Sequence, residues 1–165
     1  MLAEPDYILL AQELAVRGIV NWQEILDGEF ARIENPDRKA RFAFVRPSLS
    51  PDQSVRDAFF ENLGNVQNRR REPWVLEGLS YLHHPLRAAV SRKYIPASLA
   101  MLEEIQRTGD IFFPKRWMDA TLSGHGSASA ARMVRSFIAG LPPNYPDRLR
   151  RITLSSADEL FRAAR

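Results

Sequence analysis

The stretch 96–129, PASLAMLEEIQRTGDIFFPKRWMDATLSGHGSAS, decides how the rest of the chain is to be read. Pro96 suits the first turn of a helix, where no intrahelical acceptor awaits the N–H that proline lacks. Leu99, Leu102 and Ile105 then place one apolar stripe along that helix. Gly109 is expected to end it in the left-handed conformation, and the bulky run Ile111-Phe112-Phe113 leads to Pro114, which opens a second helix. That helix carries Phe113, Trp117 and Leu122 on one side, with Met118 beside them, and meets Gly124. The stretch reads as a helical hairpin whose tight corner, Gly109 to Pro114, buries Phe112, Phe113 and Trp117. Gly109, Phe113, Pro114 and Trp117 are its structural anchors.

The same punctuation recurs on both sides. Asp6 is expected to cap a helix with Tyr7, Leu10, Ala11 and Leu14 inward, ending at Gly18. Asn21 with Glu24 makes a capping-box pattern ahead of Trp22, Ile25, Leu26, Phe30 and Ile33, with Trp22 as an anchor. Asn35-Pro36 starts a helix bearing Phe42 and Val45 that Pro47 should stop, and Ser50-Pro51 starts one bearing Val55, Phe59 and Leu63. Pro73 opens a fifth with Trp74, Val75, Leu79 and Leu82, and His84-Pro85 a short sixth cut off by an extended break at Ile95-Pro96. Downstream, Ser127 caps a helix with Ala130, Met133, Val134 and Phe137 inward, LPPNYP forms a rigid turn, and Ser156 with Glu159 makes a second capping-box pattern.

No segment shows the period-two alternation of a half-buried strand. The chain is therefore expected to be all-α, a single helical domain over 1–165 of about ten to eleven helices. Helix pairs recur at about 35 to 40 residues, close to the period of helical solenoids. Stacked antiparallel hairpins in a HEAT- or armadillo-like superhelix fit this spacing, as does a closed irregular bundle.

With 165 residues, 45% of them hydrophobic, the chain can bury a sizeable core. No window approaches the roughly 20 uninterrupted apolar residues of a membrane span. The absence of cysteine excludes disulfides and thiolate metal sites and leaves compartment open. A formal charge of +3 is small, so the basic pI is weak evidence for nucleic acid. Trp22, Trp74 and Trp117 all fall on apolar stripes rather than on a basic face, and no nucleic-acid partner is expected.

Catalytic signatures are not visible. His83 and His84 are adjacent on a helix end and diverge by about 100 degrees, so they cannot share a metal. His125, between two glycines, is expected in a mobile loop, capping or meeting solvent. Glu103 and Glu104 are expected to pair with Arg107 on a solvated face. Neither a nucleophile elbow nor a glycine-rich phosphate loop is present. The strongest charge cluster is Arg69-Arg70-Arg71 with Glu72. An inter-helical or interdomain ion-pair role is its plainest use, and together with Arg116 these residues are candidates to face another domain or a peptide. No catalytic, metal or cofactor-binding residue is assigned.

The segments EPWVLEGLSYLHHPLR (72–87), YIPASLAMLEEIQRTGDIFFPKRWMDATL (94–122) and PPNYPDRLRRITLSSADELFRA (142–163) resemble the C-terminal helical domain of zinc aminopeptidases of the aminopeptidase N family, gluzincin metallopeptidases. The resemblance covers nearly the whole chain and is most specific over 58–165. It implies a non-catalytic module that packs on the catalytic domain of a parent enzyme and walls the chamber holding the peptide substrate. Zinc would belong to that other domain, whose H-E-x-x-H motif is expected upstream in the parent reading frame. A free-standing helical adaptor that binds a protein or peptide is the alternative.

Overall fold

The computed structural model describes residues 3–164, which form twelve α-helical segments and three short 3-10 turns, with no strand among the described residues. The expected all-α class is what the chain adopts. The count slightly exceeds ten to eleven because single residues, Met101 and Ala157, divide what would otherwise be continuous helices.

α1 (Glu4–Val16) begins after Ala3, whose N–H is accepted by the Asp6 carboxylate at 2.8 Å. Asp6 therefore sits in the first turn instead of being the cap. The inward face is Ala11, Gln12, Ala15 and Val16, while Leu10 is 50% exposed. The expected stripe is rotated because the Gln12 amide finds partners inside: it donates to Glu77 Oε1 at 3.1 Å and accepts from the Tyr81 hydroxyl at 3.2 Å. Gly18, at φ 66°, ends this segment as the only described residue with positive φ. α2 (Trp22–Arg32) buries Leu26 and the following Ile33 and leaves Trp22 half-buried. Asn21, at φ −105° and ψ 26°, lacks the extended conformation a cap requires, so the Asn21–Glu24 box does not form.

α3 (Pro36–Leu49) is capped as expected, with Asn35 Oδ1 accepting from the N–H groups of Asp37 and Arg38 at 3.0 Å each. It runs two residues past Pro47. The carbonyls at its end are taken up by buried guanidiniums. Arg87 donates to Ser48 at 2.8 Å and Leu49 at 2.5 Å, and reaches Val16, the last residue of α1, at 3.4 Å. Arg56 donates to the Ser50 carbonyl at 2.5 Å. One cation thus ties the C-terminal ends of two helices, where aligned peptide dipoles favour positive charge. Burial, and secondly the charge on Arg56, lower the Arg87 pKa to about 10, so it stays charged at neutral pH.

α4 (Gln53–Asn62) is capped by Asp52, which accepts from the Ser54 N–H at 2.8 Å, and turns Phe59 and Phe60 inward. Val55 is exposed. After a 3-10 turn at Val66–Arg69 comes α5 (Glu72–Leu82), with Pro73 in its first turn and Val75, Leu79 and Leu82 buried. Phe59 lies directly on Gly78 of α5: a Cβ there would stand 2.5 Å from the ring.

The extended break expected at Ile95-Pro96 does not occur. A 3-10 turn at Pro85–Arg87, α6 (Ala88–Ser91), a second turn at Arg92–Tyr94, α7 (Ile95–Ala100) and α8 (Leu102–Thr108) follow one another, with Ile95 helical at φ −55° and ψ −49°. Pro96 lies in the first turn of α7, and the burial of Tyr94, Ile95 and Leu99 outweighs the bias against helix before proline. α9 (Phe113–Leu122) is buried along most of its length. α10 (Ala128–Ala139) is capped by Ser127, whose hydroxyl accepts from the Ala130 N–H at 3.2 Å. α11 (Asp147–Ser156) and α12 (Asp158–Ala163) complete the chain. Ser156 ends α11 instead of capping α12, so the Ser156–Glu159 box is absent as well.

α1, α3, α5, α9 and α11 pack in succession, each against the next, and α7, α10 and α12 form a second succession. The larger core cluster runs from Phe59 to Leu160 around Trp117, Phe113 and Leu102. A smaller one joins Ala15, Leu26, Phe42 and Leu49, and Phe44 packs against both. Trp117 is wholly buried and donates its indole N–H to the Ser98 carbonyl at 3.2 Å. Trp117→Ala is expected to cost about 3 to 5 kcal/mol in a urea melt; a loss below about 1 kcal/mol would be inconsistent with this burial.

Candidate functional site

The corner between α8 and α9 is built by close approach. Gly109 is extended, at φ −110° and ψ 179°, not left-handed as expected. Its requirement is space: a Cβ would stand 2.5 Å from the Phe113 ring, 3.0 Å from Glu72 Oε1 and 3.1 Å from the Ile105 carbonyl. The same Glu72 oxygen accepts from the Asp110 N–H at 2.7 Å. Asp110 then turns the chain, its carboxylate accepting from the Phe112 N–H at 2.8 Å and its carbonyl from the Phe113 N–H at 3.0 Å. Phe113 and Trp117 go inward, with ring centroids 6.0 Å apart and planes at 79°. Pro114 is buried in the first turn of α9. Phe112 does not follow. It is 61% exposed and Ile111 is 59% exposed, because the slot beneath the corner is filled by Phe113.

Of the charged candidates, the structure gathers most but gives them different work. The Arg69 side chain is buried; it donates to the Leu63 carbonyl and, at 2.5 Å, to Glu104 Oε1, joining the end of α4 to α8. Glu104 therefore belongs to Arg69 and not to Arg107. Arg69 and exposed Arg70 line, with Glu72, Gly109 and Phe113, a cleft of about 190 Å³ at the corner. Arg71 turns away, with its guanidinium 5.0 Å from the Trp74 ring and 3.6 Å from Asp37. Trp74 is half-buried, not a core anchor, and its other neighbour is the Phe44 ring at 5.9 Å. Arg116 lies on the outside of the corner, 5.9 Å from the Phe112 ring. The arrangement offers guanidiniums and apolar side chains for recognition, and no nucleophile with an adjacent base.

A buried histidine pair went unforeseen. His83, at the end of α5, and His125, before α10, are 1% and 5% exposed, and His83 Nδ1 lies 2.9 Å from His125 Nε2. The expectation of a mobile, solvent-facing His125 is overturned. Gly124 makes the approach possible, since a Cβ there would collide with the His83 carbonyl. The flanking glycines were the available signal for this packing. One ring must donate and the other accept, and the outer nitrogens, His83 Nε2 and His125 Nδ1, have no partner among the described residues. Among the described residues no group of three or more metal-ligating side chains is placed to hold an ion.

Burial holds both imidazoles below their ordinary range, His83 well below 6.5 and His125 down to about 4, with each charge also opposing the other on His83. The native state therefore favours the neutral rings, and stability present above pH 6.5 is lost as pH falls toward 4. At about 1.4 kcal/mol per pH unit, His125 alone accounts for a loss on the order of 3 kcal/mol. Urea midpoints measured from pH 7.5 to 4.5 are expected to fall, and to fall less in His125→Gln; identical slopes in the two proteins would place the titration elsewhere. Compared with known proteins, the chain matches no family model, no curated sequence and no solved structure.

Proposed function

We propose that this chain is a non-catalytic helical module of a zinc aminopeptidase, packing on a catalytic domain and walling the chamber in which a peptide is held. The observation that carries the proposal is the resemblance of 72–87, 94–122 and 142–163 to the C-terminal domain of the aminopeptidase N family. Those segments supply two of the close contacts described above, Gly109 against Phe113 and Glu72 and Trp117 against Ser98, and His83 of the first receives Gly124 just beyond the second. We read the successive packing of α1, α3, α5, α9 and α11, with α7, α10 and α12 as a second row, as stacked hairpins of a HEAT- or armadillo-like superhelix. Such an arc supplies a broad wall, and a wall around a catalytic centre selects short peptides by size. The exposed corner at Ile111, Phe112 and Arg116 suits a contact with another domain.

The test is genetic and enzymatic together. The parent reading frame is expected to encode H-E-x-x-H upstream of residue 1, and its product to hydrolyse aminoacyl amides in a chelator-sensitive way, while the 165-residue chain alone does not. A frame without that motif points to a free-standing adaptor. Zinc-dependent cleavage by the pure chain would overturn the assignment altogether.

A further inference from the structure

We infer that the exposed tip of the α8–α9 corner is a docking surface for a protein face that presents an apolar pocket rimmed by carboxylates. Ile111 and Phe112 are adjacent, large, apolar and more than half exposed. Two guanidiniums stand against them, and a third shares a cleft with one of these. Arg116 lies 5.9 Å from the Phe112 ring, Arg148 donates to the Ile111 carbonyl, and Arg151 lines, with Arg148, Lys115 and Ile152, a shallow cleft beside the tip. Among the described residues, none of the three has a carboxylate within 4.0 Å. The nearby acids are engaged elsewhere or unpaired with these guanidiniums: Asp119 is paired with Lys115 at 2.5 Å, Asp110 holds the Phe112 N–H, and exposed Asp147, four residues before Arg151 on α11, forms no ion pair with it among the described residues.

Two features separate this tip from an ordinary exposed loop. It is held in place by the Glu72–Asp110, Asp110–Phe112 and Arg148–Ile111 hydrogen bonds, so a partner would order little on binding. Its composition, an aromatic with arginines, is that of interface hot spots, where an apolar anchor fills a pocket and planar guanidiniums meet carboxylates. Nucleic acid is disfavoured. Single-strand binders use successive aromatic faces along a basic groove, whereas here there is one exposed ring with a guanidinium beside it.

The inference rests on the proposal above, in which the partner face lies on the remainder of the parent protein. Ile111→Ser/Phe112→Ser and Arg148→Glu/Arg151→Glu would each be made in the full reading-frame product and in the 165-residue chain. Calorimetry would then follow the melting of the helical domain. In the parent, wild-type melting is expected above that of the isolated chain, because docking stabilises the docked state. Both double variants should abolish that elevation, a shift of about 5 °C or more, while moving the isolated chain by much less. Elevated melting that ignores the tip substitutions would sink the tip assignment and leave the domain proposal standing. Loss with the serine pair but not the glutamate pair would remove the carboxylate rim. No elevation at all would overturn tip and packing together. Binding of a 20-nucleotide single strand by the isolated chain, lost in Arg148→Glu/Arg151→Glu, would reassign the surface to nucleic acid.

Discussion

Everything in the larger core is arranged around the burial of α9. It packs on α5, α7, α8 and α11, and Phe113, Trp117, Met118 and Leu122 leave it no solvent-facing apolar residue of any size. A helix enclosed on so many sides limits how its neighbours can enter and leave. The chain before it must stop abruptly, which Gly109 permits by bringing backbone against the Phe113 ring. The chain after it must turn back against α5, which Gly124 permits by lying on the His83 carbonyl. Trp117 adds the remaining constraint through its bond to Ser98, which fixes α9 along α7 as well as across it. Interiors packed to crystal-like density tolerate few such substitutions.

The helical class and many boundaries were legible because they rest on local chemistry. Asn35 and Ser127 cap where their positions indicated, and Leu99, Leu102 and Ile105 are all inward. What was not legible depends on partners distant in sequence. The face of α1 is turned by Glu77 and Tyr81, more than sixty residues away. α3 continues past Pro47 because Arg87 and Arg56 receive its terminal carbonyls. The unbroken passage through Ile95-Pro96 reflects burial that no local rule anticipates. The capping boxes at Asn21 and Ser156 failed because spacing alone does not set backbone conformation.

The candidate site shows the same division. The cluster at 69–72 was visible as charge, but its partition was not: Arg69 is an internal strut to Glu104, Arg70 faces a cleft, and Arg71 covers Trp74. Phe112 looked as buried as Phe113 because both stand in one apolar run, and only the Asp110 turn separates their fates. Glycine carries the tightest packing of the chain. Gly78, Gly109 and Gly124 each mark a place where another group comes too close for a Cβ, a requirement of room rather than of backbone freedom.

α3 and α5 meet along the seam between the two core clusters, where Phe44 packs against both and polar links join the sides: Gln12 with Glu77, and Arg87 with the ends of α1 and α3. Apolar surfaces slide over one another with little angular preference, whereas a planar guanidinium bonded to three carbonyls fixes direction. The pitch of α1, α2 and α3 against the remainder is therefore set like a bracketed joint, and a lineage that altered residue 87 would loosen it where two helices end together.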